Sequence, residues 1–412
     1  MKSNTKIATL FSLMMVLFLD GMGQGIVFPI LSQALIDPQQ HVLIATATPE
    51  MRNLWYGILI GVFFLCWFIG AALLSDLSDK SGRKKALIIC LIGSLLGNFV
   101  AALAFTLHSL WLLLVGRMLV GFTNGSQPIA QAAVVDISPK NKLSRYLGYV
   151  IMAVSIGLIA GPLIGGFLSD HDYVRWFSYS TPLYFAALLA FVNILLLIIY
   201  FKETGITKEK TQLKLTRALE IFVSAFRHPS VRFLSICYLL LQIGWSIYYI
   251  YISAFMVQKF NLSLRGVSIL FAFVGVGLTF GLAVLPGIFE KQNFNRKHVT
   301  IFGYSILFLG LIFIVFPNKA IWPWIMIFPL TCGLALAYSF LISLYSNEVR
   351  PEKQGWIMGI TSAIVALGAA IASFLEAVLS TLNVNFPYYA TIVLIAIGIS
   401  LMTRFKPKES ER

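Results

Sequence analysis

The chain is 412 residues long, 58% hydrophobic and only 12% charged, with a formal net charge of +14. Soluble chains carry about a quarter charged residues, so the composition excludes a water-soluble globular protein. It predicts an all-α polytopic membrane protein whose backbone polar groups are satisfied within each span. The excess cations lie in the connectors between apolar runs, a distribution that speaks for orientation in a lipid bilayer rather than for nucleic acid as a partner.

Twelve apolar runs are predicted as transmembrane helices, at roughly 7–36, 54–74, 85–107, 110–135, 145–169, 180–201, 233–257, 266–289, 298–316, 320–345, 355–380 and 386–405. The widest gap, Lys202 to Arg232, divides them six and six. The expected organisation is therefore an N-terminal six-helix bundle (1–201), a basic cytoplasmic linker (202–232) and a C-terminal six-helix bundle (233–412). Within the linker, Leu215, Leu219, Phe222 and Phe226 have helical spacing and suit a helix lying along the membrane surface. Of the 31 Lys and Arg, 25 fall in connectors or at ends on one side, among them Lys80, Arg83, Lys84, Lys85, Arg217, Arg232, Arg296 and Arg404, and Arg117 lies within a run. The opposite connectors hold only Arg52, Arg175, Lys259, Arg265 and Lys319. That asymmetry puts both termini in the cytoplasm.

In the first span, Asp20 stands in a stretch with alternating Gly21, Gly23 and Gly25, then Pro29. A carboxylate there is costly unless partnered or hydrated. Asp20 is therefore the leading candidate for proton coupling, with Gln24 beside it as a candidate substrate contact; a structural acid bonded to a neighbouring helix is the alternative. Between the second and third spans lies Ser75 to Lys85. Here Asp79, Gly82 and Arg83 suit a turn closed by an acid–arginine pair, although the cations could serve orientation alone.

The fourth span places Arg117, Gly121, Asn124, Gln127 and Gln131 within a little over a third of a helix circumference, a polar stripe expected to face inward. Arg117 and Asp20 each fall about 10 Å from the same edge of a ~30 Å apolar core, so they are expected to meet as a conditional ion pair. Asn124-Gly125-Ser126 matches a glycosylation acceptor and is discounted because it lies within the span. The fifth span carries Gly157, Gly161, Pro162, Gly165 and Gly166, small residues that let helices approach closely. The seventh presents Tyr238, Gln242, Trp245 and Tyr249 on one face, and the tenth adds Tyr338. Such an aromatic face with amides suits a flat amphipathic ligand, expected between it and the Asn124–Gln127 stripe. Glu376 is a second candidate proton carrier, expected nearer the surface.

The four cysteines are read as packing residues and the five histidines sit in connectors or at span ends. Nothing in the sequence has the spacing of a metal site, and no Gly-Lys pair exists for a phosphate loop, so no metal and no cofactor are expected and no enzyme chemistry is evident.

Asp79-Lys80-Ser81-Gly82-Arg83-Lys84 resembles the Asp-Arg-x-Gly-Arg-Arg loop of the major facilitator superfamily, with Ser75 where that family usually opens with Gly. Arg117-x-x-x-Gly121 resembles its Arg-x-x-Gln-Gly, with Val120 in the Gln position, and Gly157-x-x-x-Gly161-Pro162-x-x-Gly165-Gly166 resembles the motif of its antiporter branch. The Leu19–Pro29 stretch is similar to the first helix of the tetracycline exporters. The resemblance implies a monomeric drug:proton antiporter of a bacterial inner membrane, with a small-molecule substrate and protons as partners. A metabolite or siderophore carrier on the same fold, or a non-transporting sensor, are the alternatives.

Overall fold

The computed structural model describes residues 3–36, 47–138, 143–204, 216–292, 294–317, 319–349 and 354–405. Leu215, the first residue of the expected linker stripe, lies outside them. No strand occurs among the described residues. The first span is a broken rod: α1 (Ser3–Gly25), α2 (Val27–Leu31) and a π-helical turn (Ser32–Ile36), interrupted where glycine and Pro29 weaken the ladder. There follow α3 (Pro49–Ser81), α4 (Arg83–Thr106), α5 (Leu110–Thr123), α6 (Ser126–Ile137), α7 (Leu143–Ser169) and α8 (Thr181–Tyr200). The linker helix is α9 (Arg217–Arg227). The later helices are α10 (Pro229–Phe260), α11 (Leu264–Ala283), α12 (Leu285–Lys291), α13 (Arg296–Val315), α14 (Ile321–Asn347), α15 (Gln354–Leu382) and α16 (Phe386–Arg404).

Eleven helical stretches among the described residues are long and apolar enough to cross a bilayer. The fourth of the twelve expected spans is continuous in hydropathy but broken in shape. Asn124 caps α5 and Gly125 precedes α6, so neither piece alone reaches spanning length. The turn lies hard against α3: a methyl group on Gly125 would fall 2.8 Å from the Ala71 backbone, and one on Gly70 would overlap the Phe122 carbonyl.

Contacts gather the chain into two units, Met1–Ala218 with Leu262–Ala272, and Leu219–Asn261 with Phe273–Arg412. In the first, α1 packs on α7, α4 on α5 and α8, and α3 on α5. The short segment that begins α11 joins this unit; Gln33 Nε2 donates to the Leu262 carbonyl at 3.0 Å and Phe28 stacks on Phe271 at 5.2 Å. In the second unit α10 packs on α15 and α16, and α13 on α14 and α16. The Tyr304 hydroxyl donates to the Cys237 carbonyl at 2.7 Å, tying α13 to α10. Most of α9 also belongs here. Its polar side chain Ser224 accepts from Trp356 Nε1 at 3.1 Å, and its Ala225 carbonyl accepts from Ser235 Oγ at 3.0 Å.

Candidate functional site

Asp20 is 7% exposed, near the C-terminal end of α1. Its two carboxylate oxygens each lie 2.7 Å from the Ser126 hydroxyl, which donates to them. Ser126 is the first residue of α6, so the break in the fourth span presents a helix N-terminus to a carboxylate, an arrangement that favours negative charge. Cys90, buried on α4, is within electrostatic reach of Asp20. No cation lies within ion-pairing distance of Asp20 among the described residues.

Arg117 does not join it. It is buried on α5, where Nε donates to the Leu59 carbonyl at 3.4 Å and the guanidinium sits 4.3 Å from the centre of the Phe63 ring. The ion pair expected from matched depth is absent here because the depths differ: Asp20 meets Ser126, nine residues beyond Arg117, whereas Arg117 borders Val27, Ile30 and Leu31, two to three turns past Asp20 on the first span. The turn at Asn124–Gly125 leaves Arg117 facing α3 while Ser126 faces α1. A cavity of about 10 Å³ beside Arg117, also lined by Asn98 and Leu31, is at the lower limit for one water. Of the amides, Asn124 is buried with Nδ2 unbonded among the described residues, whereas Gln24, Gln127 and Gln131 are half-buried.

The small residues of α7 form its contact with α1. Added methyl groups at Gly157, Gly161 and Gly165 would overlap the carbonyls of Phe18, Met22 and Ile26 in turn. Pro162 packs over Gly25, and a methyl on Gly166 would strike Ser268 at the start of α11. The helix bearing Asp20 is thus set at backbone contact distance along three turns of α7.

The loop between α3 and α4 is closed by charge. Arg83 Nη1 lies 2.6 Å from Asp79 Oδ1 and 3.0 Å from Ser78 Oγ, and Nε lies 3.5 Å from Asp136 at the end of α6. Gly82 has φ +95°, a conformation open to glycine, and a methyl there would overlap the Glu203 carboxylate. That carboxylate accepts from the Lys84 N–H at 3.1 Å and so caps α4. The buried Asp76 pairs with Arg217 of α9 at 3.0 Å. Sequence reading missed Asp136, Glu203 and the Asp76–Arg217 pair, because all three depend on which helix ends meet. With three partners lost at once, Arg83→Ala is expected to slow transport several-fold while substrate affinity changes less. Paired binding and flux measurements on the same reconstituted protein check this, and equal flux in variant and parent would dismiss the loop as a conformational element.

In the second unit, α10 supplies the aromatic face. Trp245 stacks on Tyr249 with centroids 5.9 Å apart and leans on Tyr248 at 5.3 Å. Tyr238 meets Tyr338 at 6.0 Å, and Gln242 is buried beside this row. Glu376 corrects one expectation. It lies six residues from the end of α15, as expected, but is 0% exposed rather than solvated, and neither carboxylate oxygen has a hydrogen bond of normal geometry among the described residues.

A model of the major facilitator superfamily matches residues 10–373. The chain is 25% identical to the class B tetracycline resistance protein of Escherichia coli, covering 100% of this chain and 99% of that one. It is 28% identical to the quinolone resistance protein NorA of Staphylococcus aureus, covering 95% and 94%. Among solved structures, a D-xylose–proton symporter aligns with TM-score 0.77 at 15% identity over 99% of both chains. The human organic anion transporter MFSD10 aligns with TM-score 0.70 at 19% identity over 96% of this chain and 99% of that one. At these identities the structural likenesses speak for the fold, and the family match, running through the loop at Arg83 and the glycines of α7, speaks for descent. The chain is a multi-pass membrane transporter and belongs to the major facilitator superfamily.

Proposed function

We propose that this transporter is a proton-coupled exporter of small amphipathic organic molecules, resident in a bacterial inner membrane with both termini in the cytoplasm. The observation that carries the reading is Asp20: a buried carboxylate with a single hydroxyl donor and no cation among the described residues. Such a group can gain and lose a proton without breaking an ion pair, which a coupling residue must do in every cycle. The resistance proteins named above support export of drug-like compounds.

In the proposed cycle, substrate loads from the cytoplasm or inner leaflet while Asp20 is charged. A proton arriving from outside neutralises Asp20 and accompanies outward release. Each charge moved contributes about 2.3 kcal/mol per 100 mV of membrane potential. Asn124, Gln127 and Gln131 in the first unit, and Gln242, Trp245, Tyr249 and Tyr338 in the second, are the proposed substrate contacts. Amides supply directional bonds, and stacked rings suit flat apolar surface. Arg117 is the proposed conditional partner of Asp20 in another state of the cycle, and Glu376 a second proton site.

Proteoliposome flux with a chemically varied panel tests the reading. Substrate and protons should move in opposite directions. Flow in the same direction would instead make it a symporter of a metabolite, and no substrate-dependent flux would make it a sensor.

A further inference from the structure

A cavity of about 700 Å³ lies in the first unit at the end of α7. It shares no residue with the Asp20 site. Its apolar wall is Phe105 against Tyr179, with ring centres 5.9 Å apart. Its polar wall holds Asp170 and Asp172 from the α7–α8 connector and Arg265 from the start of α11. Arg265 Nε lies 2.5 Å from Asp170 Oδ2, and its Nη2 lies 3.3 Å from Asp172 Oδ2. The guanidinium also covers the Tyr173 ring at 4.3 Å. His171, also in the lining, has its Nδ1 3.1 Å from the Arg175 carbonyl.

Two features distinguish this cavity from a surface dent. Two carboxylates face one guanidinium, so a negative charge is left over at neutral pH. Asp172 carries most of it outward, its side chain being 84% exposed while that of Asp170 is 12% exposed. Burial pushes the Asp170 carboxyl up, but its hydrogen bonds to Arg265 and the Asp172 N–H, with the Arg265 charge, outweigh this and hold it below the usual aspartate range. Second, Ser169 is 4% exposed, lines the cavity, and its hydroxyl has no hydrogen-bond partner among the described residues. A buried hydroxyl left open is costly, and a ligand or a water in the cavity would satisfy it.

We propose that this cavity is a second small-molecule site for aromatic organic cations, with the ring against Phe105 and Tyr179, the positive charge toward Asp172, and a polar substituent bonded to Ser169. An anionic ligand of the same shape meets the wrong charge. On the orientation proposed above, the cavity opens to the outside, which makes it a release-side site for the exporter; its existence does not depend on that orientation.

The test uses ethidium, a flat fluorescent cation, titrated into the purified full-length chain in nanodiscs without any ion gradient, so that failure of the transport reading and failure of this one are seen separately. Asp172→Asn should weaken one class of ethidium sites about fivefold, the scale of a single exposed charge contact, and Asp172→Glu should restore it. Glu290→Gln, an exposed acid in the second unit, should change nothing. Asp172 is too exposed for its amide variant to threaten folding. A titration of Asp172→Asn that superimposes on the parent, an equal loss in Glu290→Gln, or no ethidium binding at all would each overturn the proposal; the second outcome would reduce it to general surface charge.

Discussion

Asp20→Asn is expected to abolish concentrative, proton-driven transport while leaving substrate binding and downhill exchange partly intact. The asparagine side chain has nearly the shape of the protonated acid, and its carbonyl oxygen can still accept from Ser126, 2.7 Å from the native carboxylate. What it cannot do is change charge. Uphill flux should therefore fall by at least about a hundredfold, because a carrier without its titrating group loses the gradient as a driving force and keeps only equilibration. Counterflow, in which labelled substrate exchanges with unlabelled substrate in the absence of a proton gradient, separates this from a folding defect. Full accumulation by Asp20→Asn in energised vesicles would remove Asp20 from the mechanism, and Glu376, fully buried on α15 and without a hydrogen bond of normal geometry, would be the next residue to change.

The partner of Asp20 was harder to read from the sequence than Asp20 itself, and the reason is physical. An acid in an apolar run stands out by composition alone. A hydroxyl does not, because serine and threonine inside helices usually bond back to the carbonyl a turn earlier. Thr123 does that, donating to Leu119 at 2.8 Å, whereas Ser126 three residues later donates to Asp20. What separates the two is the turn between them. The signal for it was present, since Asn-Gly marks turns, yet Asn124-Gly125 sits in an unbroken apolar stretch where helical continuity is the stronger expectation. Counting residues also misplaced Asp20 against Arg117: the first span runs on through α2 and the π-helical turn, so Asp20 lies well short of the level of Arg117, which borders Val27, Ile30 and Leu31. The span pattern and the glycine face of α7 were legible because each depends on local periodicity. Glu203 capping α4, Asp136 reaching Arg83, and the transfer of Leu262–Ala272 to the first unit were not, because each is decided by packing between segments distant in the chain.

Gly161→Ala is expected to damage transport severely, and Gly23→Ala, where an added methyl group meets open space, to be almost silent. A methyl group at Gly161 would stand 2.5 Å from the Met22 carbonyl oxygen and 3.0 Å from the Ile26 nitrogen, both backbone atoms that cannot rotate aside. A methyl at Gly23 would meet nothing within 4 Å. Both changes raise helix propensity equally, so propensity cancels in the comparison. To admit the methyl at Gly161, α1 must move from α7, and overpacking of this kind costs about 1–3 kcal/mol. The functional loss should exceed that cost in stability, because α1 carries Asp20 and a shift of about 1 Å would carry its 2.7 Å contact with Ser126 beyond hydrogen-bond range. Transport by Gly161→Ala should fall about tenfold or more, with thermal stability lowered by only a few degrees, while Gly23→Ala retains both. Were the two variants to transport equally well, the contact between α1 and α7 would be tolerant packing, and the position of Asp20 would have to be set by α6 alone.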